Sequence, residues 1–198
     1  MTLTATTLLD AAAHGDLASV QQALAAGTDI DTRDAHGRTA LLLAASATHV
    51  DVARVLVEHG ADPNVMDDRH DTPWLVTGVT GSVAMGEVLL AAGADLAIRN
   101  RYGGVSVIPA SERGHVEYVR WVVHTGIDVN HVNDIGWTAL LEAVILGDGS
   151  PTYEQIVTAL LAAGADPHLA DRDGVTPLTH AHAKGHARLA TILEEASS

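Results

Sequence analysis

The chain has 198 residues, with 25 acidic against 11 basic side chains, a formal net charge of −14, and neither cysteine nor phenylalanine. That charge argues against nucleic acid as a partner, because phosphate recognition needs lysine and arginine, and the lack of cysteine excludes disulfides, thiol chemistry and thiolate-held zinc. An apolar fraction of 47% carried mainly by Ala, Leu and Val suits thin helices packed closely rather than one thick aromatic core.

Met1 to Asp10 contains no Lys or Arg and no unbroken apolar run, so neither a secretory signal nor a membrane span is expected, and a cytoplasmic protein is. The first marker in the chain is Gly27-Thr28-Asp29. It returns at Gly60-Ala61-Asp62, Gly93-Ala94-Asp95 and Gly126-Ile127-Asp128 at intervals of 33 residues, and at Gly164-Ala165-Asp166 after 38. A second marker lies ten residues past each of these, at Gly37, Gly103, Gly136 and Gly174, with His70 standing where the period asks for glycine. A period near 33 with a glycine-marked turn is the pattern of a solenoid, in which no unit buries its apolar face without a neighbour.

The segments Asp34-Ala35-His36-Gly37, Asp67-Asp68-Arg69-His70, Asn100-Arg101-Tyr102-Gly103, Asn133-Asp134-Ile135-Gly136 and Asp171-Arg172-Asp173-Gly174 match a type I turn, with Asp or Asn opening it and Gly freeing the exit. Each predicts a hairpin-like finger. Two helical patterns follow each finger. In the second unit Thr39 is a natural N-cap to Ala40–Ala45, and Val50, Ala53, Leu56 and Val57 recur at helical spacing before Gly60. Pro73 and Pro177 fall at first helical positions, where the missing N–H costs nothing.

Thr176-Pro177-Leu178, Arg113-Gly114-His115-Val116 and Gly60-Ala61-Asp62-Pro63-Asn64 resemble pieces of the ankyrin repeat. Arg101-Tyr102-Gly103-Gly104, Asn130-His131-Val132-Asn133 and Gly136-Trp137-Thr138-Ala139-Leu140-Leu141-Glu142-Ala143 resemble small stand-alone bacterial ankyrin proteins. The resemblance implies an all-α solenoid of six helix-turn-helix repeats joined by fingers, forming one domain over 1–198. The repeats fall at about 4–36, 37–69, 70–102, 103–135, 136–173 and 174–198. It also implies a module that binds a protein partner through fingers and first helices, without catalysis or cofactor, and a monomer is expected.

Ser19 and Gln22 in the first repeat, and Glu194 in the last, are polar where inner repeats are apolar, so both terminal repeats are expected to act as caps. Among the 12 histidines, His180, His182 and His186 invite a metal. Gly185, however, breaks the helix between the last two, and a structural role is expected instead. No hydrolase, P-loop or zinc-protease motif is present, and the carboxylates recur at the repeat period as caps and turns. A small-molecule or metal-responsive sensor using the groove or the histidines is the alternative reading.

Trp74, Tyr118 and Trp121 align with packing positions, whereas Tyr102 at a finger tip and Trp137 just past the next finger glycine fall on the expected concave side. Arg33, Arg38, Arg69, Arg99, Arg101 and Arg172 lie in or beside fingers among interleaved aspartates, which predicts a lattice of weak surface ion pairs. The partner-binding set is therefore Arg69, Arg101, Tyr102, Glu112, Arg113, Ile135, Trp137, Ile145 and Leu146, since Arg, Tyr and Trp are common interface anchors. The five-residue surplus in the fifth repeat is expected around Gly147-Asp148-Gly149-Ser150-Pro151, with Ser150 as a fresh N-cap. The third repeat, with Gly78, Gly81 and Gly86 in its helices, Ala97 in place of Asn, and His70 at a turn favouring positive φ, is expected to be the soft point.

Overall fold

The computed structural model describes residues 5–197, with side chains from Leu8 onward, so the expectation on Met1–Asp10 lies in part outside the described residues. Twelve helices form among the described residues, and no strand longer than the single bridge between Arg33 and Thr39. The described backbone clusters into two compact units, divided between Arg101 and Tyr102.

The first unit contains α1 (Ala5–His14), α2 (Leu17–Ala25), α3 (Ala40–Ser46), α4 (Val50–Glu58), α5 (Pro73–Thr80) and α6 (Val83–Ala91). Helices this short are marginal alone, so packing holds them. α1, α3 and α5 stack side by side as a layer of first helices, α2, α4 and α6 as a layer of second helices, and each pair is also packed internally. α3 lies between neighbours, and Ala40, Leu41, Leu42, Ala44 and Ala45 are all buried. The outer α4 buries one stripe, Val52, Ala53 and Leu56. A leucine as enclosed as Leu41 or Leu56 contributes roughly 1.5–3 kcal/mol.

Local chemistry starts and stops these helices as the sequence implies. The hydroxyls of Thr39 and Thr72 accept from the backbone N–H of Leu42 and Leu75, satisfying donors that a helix N-terminus otherwise leaves open. Trp74 is wholly enclosed. Gly81 differs from expectation: it is the left-handed cap that ends α5, φ 71°, and not an interior glycine. Only Gly78 and Gly86 lie within the helices of the third repeat.

The second unit repeats this architecture with α7 (Val107–Glu112), α8 (Val116–Val122), α9 (Ala139–Leu146), α10 (Pro151–Ala162), α11 (Pro177–Ala183) and α12 (Ala187–Ala196). α9 packs between α7 and α11, and α10 between α8 and α12. Thr138 and Thr176 cap α9 and α11 as Thr39 does α3. In α7 the register differs. Val105 takes the threonine's place, Pro109 sits inside the helix, and Ser106 makes no capping bond; the helix runs for only six residues. The fifth-repeat surplus is the 147–150 loop plus an added first turn on α10, where Ser150 holds the N-cap position without a side-chain bond and Glu154 lies in the first turn. Tyr153, in that added turn, donates its hydroxyl to the Glu112 carbonyl at 2.8 Å.

An asparagine after the Gly-x-Asp turn ties one repeat to the next within each unit. Asn64 donates to the Gly93 carbonyl at 3.1 Å and accepts from the Asp95 N–H at 2.7 Å. Asn130 does the same with Gly164, 3.1 Å, and Asp166, 2.8 Å. Ala97 holds the equivalent position and carries no amide.

Candidate functional site: fingers and first helices

The fingers opened by Asp34, Asp67, Asn133 and Asp171 are each closed by that residue in three ways. The residue's N–H donates four residues on, its carbonyl accepts from the fourth residue of the turn, and its side-chain oxygen accepts from two further N–H groups. Asn133 illustrates the set. Its N–H donates to the Trp137 carbonyl at 3.0 Å and its carbonyl accepts from Gly136 at 2.9 Å. Its Oδ1 accepts from Ile135 at 3.2 Å and Trp137 at 2.9 Å. Asp67 and Asp171 repeat this pattern. The turn exit needs positive φ, met by Gly37, Gly136 and Gly174 and, at 59°, by His70.

Neighbouring fingers are laced through their backbones. In the first unit the Asp68 N–H donates to the His36 carbonyl at 3.0 Å, and in the second the Asp134 N–H donates to Tyr102 at 2.9 Å. The finger arginines are not simply a lattice of ion pairs. Arg38 pairs with Asp34 at 2.7 Å and Arg101 reaches Asp71 at 3.8 Å. Arg33 instead donates to the Met66 carbonyl at 3.2 Å, and Arg172 to the Asp134 carbonyl. Burial works against ionisation of Asp34, but the Arg38 guanidinium and the N–H groups of Arg38 and His36 outweigh it and hold the carboxyl below its usual range. Burial, reinforced by the charge on Asp67, pushes Asp71 upward despite Arg101.

The predicted binding residues divide between the units. Arg69 and Arg101 belong to the first, both exposed, and Arg69 lines a groove of about 350 Å³ with His36, Arg38, Asp67 and Asp71. Tyr102, Glu112, Arg113, Ile135, Trp137, Ile145 and Leu146 belong to the second. Tyr102, Ile135 and Leu146 are 56%, 50% and 49% exposed, Arg113 is open, and Glu112, Trp137 and Ile145 are half-buried. Tyr102, Ile135 and Trp137 come from two laced fingers, while Ile145 and Leu146 end α9, about one helix length away.

Sequence reasoning left Glu142 out of this set. It lies on α9 at 6% exposure and accepts a 3.0 Å hydrogen bond from Asn133 Nδ2. Burial, and then the like charge of Glu112, raise its carboxyl to about 7, against the lowering effect of Asn133. The available signal was a charge nine residues past the finger asparagine, inside the apolar run Leu140-Leu141-Glu142-Ala143-Val144. The next repeat has the same spacing with other groups: His180 Nε2 meets Asp171 Oδ2 at 2.7 Å.

The three C-terminal histidines go to separate places. His180 is with Asp171, His182 is 3.4 Å from Glu194, and His186 is the N-cap residue of α12, its ring against Gly149. Among the described residues no group of three or more His, Asp or Glu is arranged to hold a metal ion. Nor is any described helix long and apolar enough to cross a membrane. Tyr118 is fully enclosed and Trp121 half-buried, their ring centroids 5.6 Å apart, so both serve packing.

Stacked helix pairs with laced fingers define a helical repeat protein that offers side chains on fingers and first helices. Family models of ankyrin repeats match residues 8–100, 109–150 and 135–172, and the chain belongs to the ankyrin-repeat family. It is 40% identical over 184 residues to YahD of Escherichia coli K12, described as an ankyrin repeat protein, covering 92% of each chain. Among solved structures, an ankyrin repeat domain from Acinetobacter baumannii AYE is similar with a TM-score of 0.92 and 48% identity, over 96% of this chain and 97% of that one. The ankyrin repeat protein EF0377 is similar with a TM-score of 0.93 and 35% identity, over 98% and 99%. Ankyrin repeats are in general protein–protein interaction modules.

Proposed function

We propose that this protein is a single six-repeat ankyrin domain, monomeric and non-enzymatic, that acts as an adaptor or inhibitor by holding a partner protein on its concave finger and first-helix surface. The observation that carries this reading is where the exposed large apolar side chains fall. Tyr102, Ile135, Leu146 and Val132 are the most exposed of them among the described residues, and all lie in the second unit, between fingers and the end of α9. Exposed aromatic and aliphatic groups within a polar frame are the usual anchors of a binding surface. Glu112, Arg113, Trp137 and Ile145 supply the polar and half-buried rim on that unit, and Arg69 and Arg101 a charged contact on the first. Affinity capture from the source lysate, with Tyr102→Ala and Trp137→Ala as paired controls, tests the reading. At least a tenfold loss of the captured protein is expected with unchanged helix content, and capture undiminished by both substitutions would sink it.

A further inference from the structure

Glu142 is nine-tenths buried, yet it is tied to a finger rather than to a cation. Its Oε1 accepts from Asn133 Nδ2 at 3.0 Å, and the other end of that amide, Oδ1, holds the N–H groups of Ile135 and Trp137 at 3.2 and 2.9 Å. The asparagine therefore works as a rigid link. Whatever changes the carboxyl's strength as an acceptor is transmitted to the turn that carries Ile135 and Trp137. An ionised carboxylate forms hydrogen bonds roughly twice as strong as a neutral acceptor does.

We propose that Glu142 is a proton-operated latch on the 133–137 finger: ionised, it holds the Asn133 amide and fixes the turn; protonated, it weakens that hold and lets Ile135 and Trp137 loosen.

Burial and the charge of Glu112 set the range in which the latch works, against the Asn133 hydrogen bond, while the other ionisable groups of the neighbouring elements are engaged elsewhere or not shown to act on it. From α7 the charge of Glu112 opposes ionisation, and together with burial it places the titration near neutrality rather than in the ordinary carboxylate range. The finger brings Asn133, Asp134 and His131, whose Nε2 is 2.6 Å from the Gly103 carbonyl. α10 carries Tyr153 and Glu154, the former bonded to the Glu112 carbonyl. α11 carries His180 and His182, engaged with Asp171 and Glu194. The loosened residues belong to the proposed binding surface, but the latch is a property of the free protein and is measured without a partner.

Nuclear magnetic resonance of the full chain between about pH 5 and 9 tests it. The side-chain carboxyl carbon of Glu142 should titrate with a midpoint of about 7, and the amide shifts of Ile135 and Trp137 should follow the same curve. In Glu142→Gln that step should vanish, with both amides at their acid-end positions throughout. Glu112→Gln, which keeps Glu142, should move the midpoint to lower pH. The proposal is overturned if Glu142 titrates in the ordinary carboxylate range, or if the two amides do not follow it. It is equally overturned if their step persists in Glu142→Gln, or if Glu112→Gln leaves the midpoint in place.

Discussion

Asn133 and Glu142 are joined across nine residues by a hydrogen bond from a finger amide to a buried helix carboxyl, and Asp171 and His180 stand at the same spacing one repeat later. The finger residue differs from the helix residue in kind, amide to acid in one repeat and acid to imidazole in the next. In both the finger side chain spends one oxygen on its own turn and its other polar atom on the first helix. The turn and the helix behind it are thus one mechanical piece.

The first prediction concerns what the buried carboxyl does to stability. A carboxyl raised in the folded state from 4.5 to about 7 keeps its proton where the unfolded chain has lost it. Stability is therefore fullest below the unfolded value and declines as pH rises toward and through about 7. The whole shift corresponds to on the order of 3 kcal/mol. Glu142→Gln, neutral at every pH, should be more stable than the parent at pH 8 by about 1–3 kcal/mol and nearly equal to it at pH 5. Urea denaturation at the two pH values measures this. A difference of the same size at both would show that packing, not ionisation, is responsible.

Asp171 obeys the opposite sign. The Val175 N–H first, and then His180, hold its carboxyl below the ordinary range, so the stability it contributes is present above the unfolded value and is lost as pH falls through the lower folded one. Asp171→Asn keeps the acceptor for the turn and removes the titration. Its melting temperature should fall less steeply than the parent's in acid below about pH 4, and parallel curves would refute the assignment.

How much of this was legible in the sequence follows from what repeats. Thr39, Thr138 and Thr176, the finger aspartates and the positive φ of His70 recur at a fixed period, so the pattern itself supplies the geometry. The buried position of Trp74 follows from the same alignment. Features that occur once were not legible. Glu142 stands as a lone charge in the apolar run Leu140–Val144, but its tie to Asn133 and the repulsion from Glu112 exist only once the finger and α7 are packed beside it. Tyr153 enters through an insertion that has no counterpart to align with, and its bond to the Glu112 carbonyl spans 41 residues. Gly81, by contrast, was legible as a turn: Gly15, Gly114 and Gly185 hold the same place between first and second helices at positive φ, with Thr48 as the non-glycine exception at 59°.

The asparagine clasps give a direct stability test. Asn130→Ala removes one donor and one acceptor to the following turn at 3.1 and 2.8 Å, and each such bond is worth about 1 kcal/mol net. A loss of roughly 1–2 kcal/mol is expected, with Asn130→Asp intermediate because it retains only the acceptor. Asn64→Ala should behave alike in the first unit. A loss under about 0.3 kcal/mol in chemical denaturation would mean that water replaces the clasp at no cost.

His70 carries φ 59° at the finger exit, on an exposed side chain. A non-glycine residue there costs about 1–2 kcal/mol, partly offset because glycine gives the unfolded chain more freedom. His70→Gly keeps the backbone bond to the Asp67 carbonyl at 3.0 Å and should stabilise by up to about 1 kcal/mol. A lower melting temperature would indicate that the imidazole makes a contribution larger than the strain it imposes.

The last prediction ranks the repeats within each unit by their protection from hydrogen exchange. In the first unit, α5 and α6 contain Gly78 and Gly86, and an interior glycine costs roughly 1 kcal/mol relative to alanine. Their amides, residues 72–92, should exchange faster than those of α3 and α4, which contain none. In the second unit, α7 is six residues long, lacks a side-chain cap and carries Pro109, whereas α9 has eight residues and the Thr138 cap. A lost cap costs about 1 kcal/mol and an interior proline removes a helix bond. α7 should therefore open more readily than α9 even though both pack against each other. Glu112 and Arg113 sit at the end of α7, so that opening reaches the proposed binding surface. Amides of 72–92 as protected as those of 40–58 would refute the first ranking, and amides of 107–112 as protected as those of 139–146 the second.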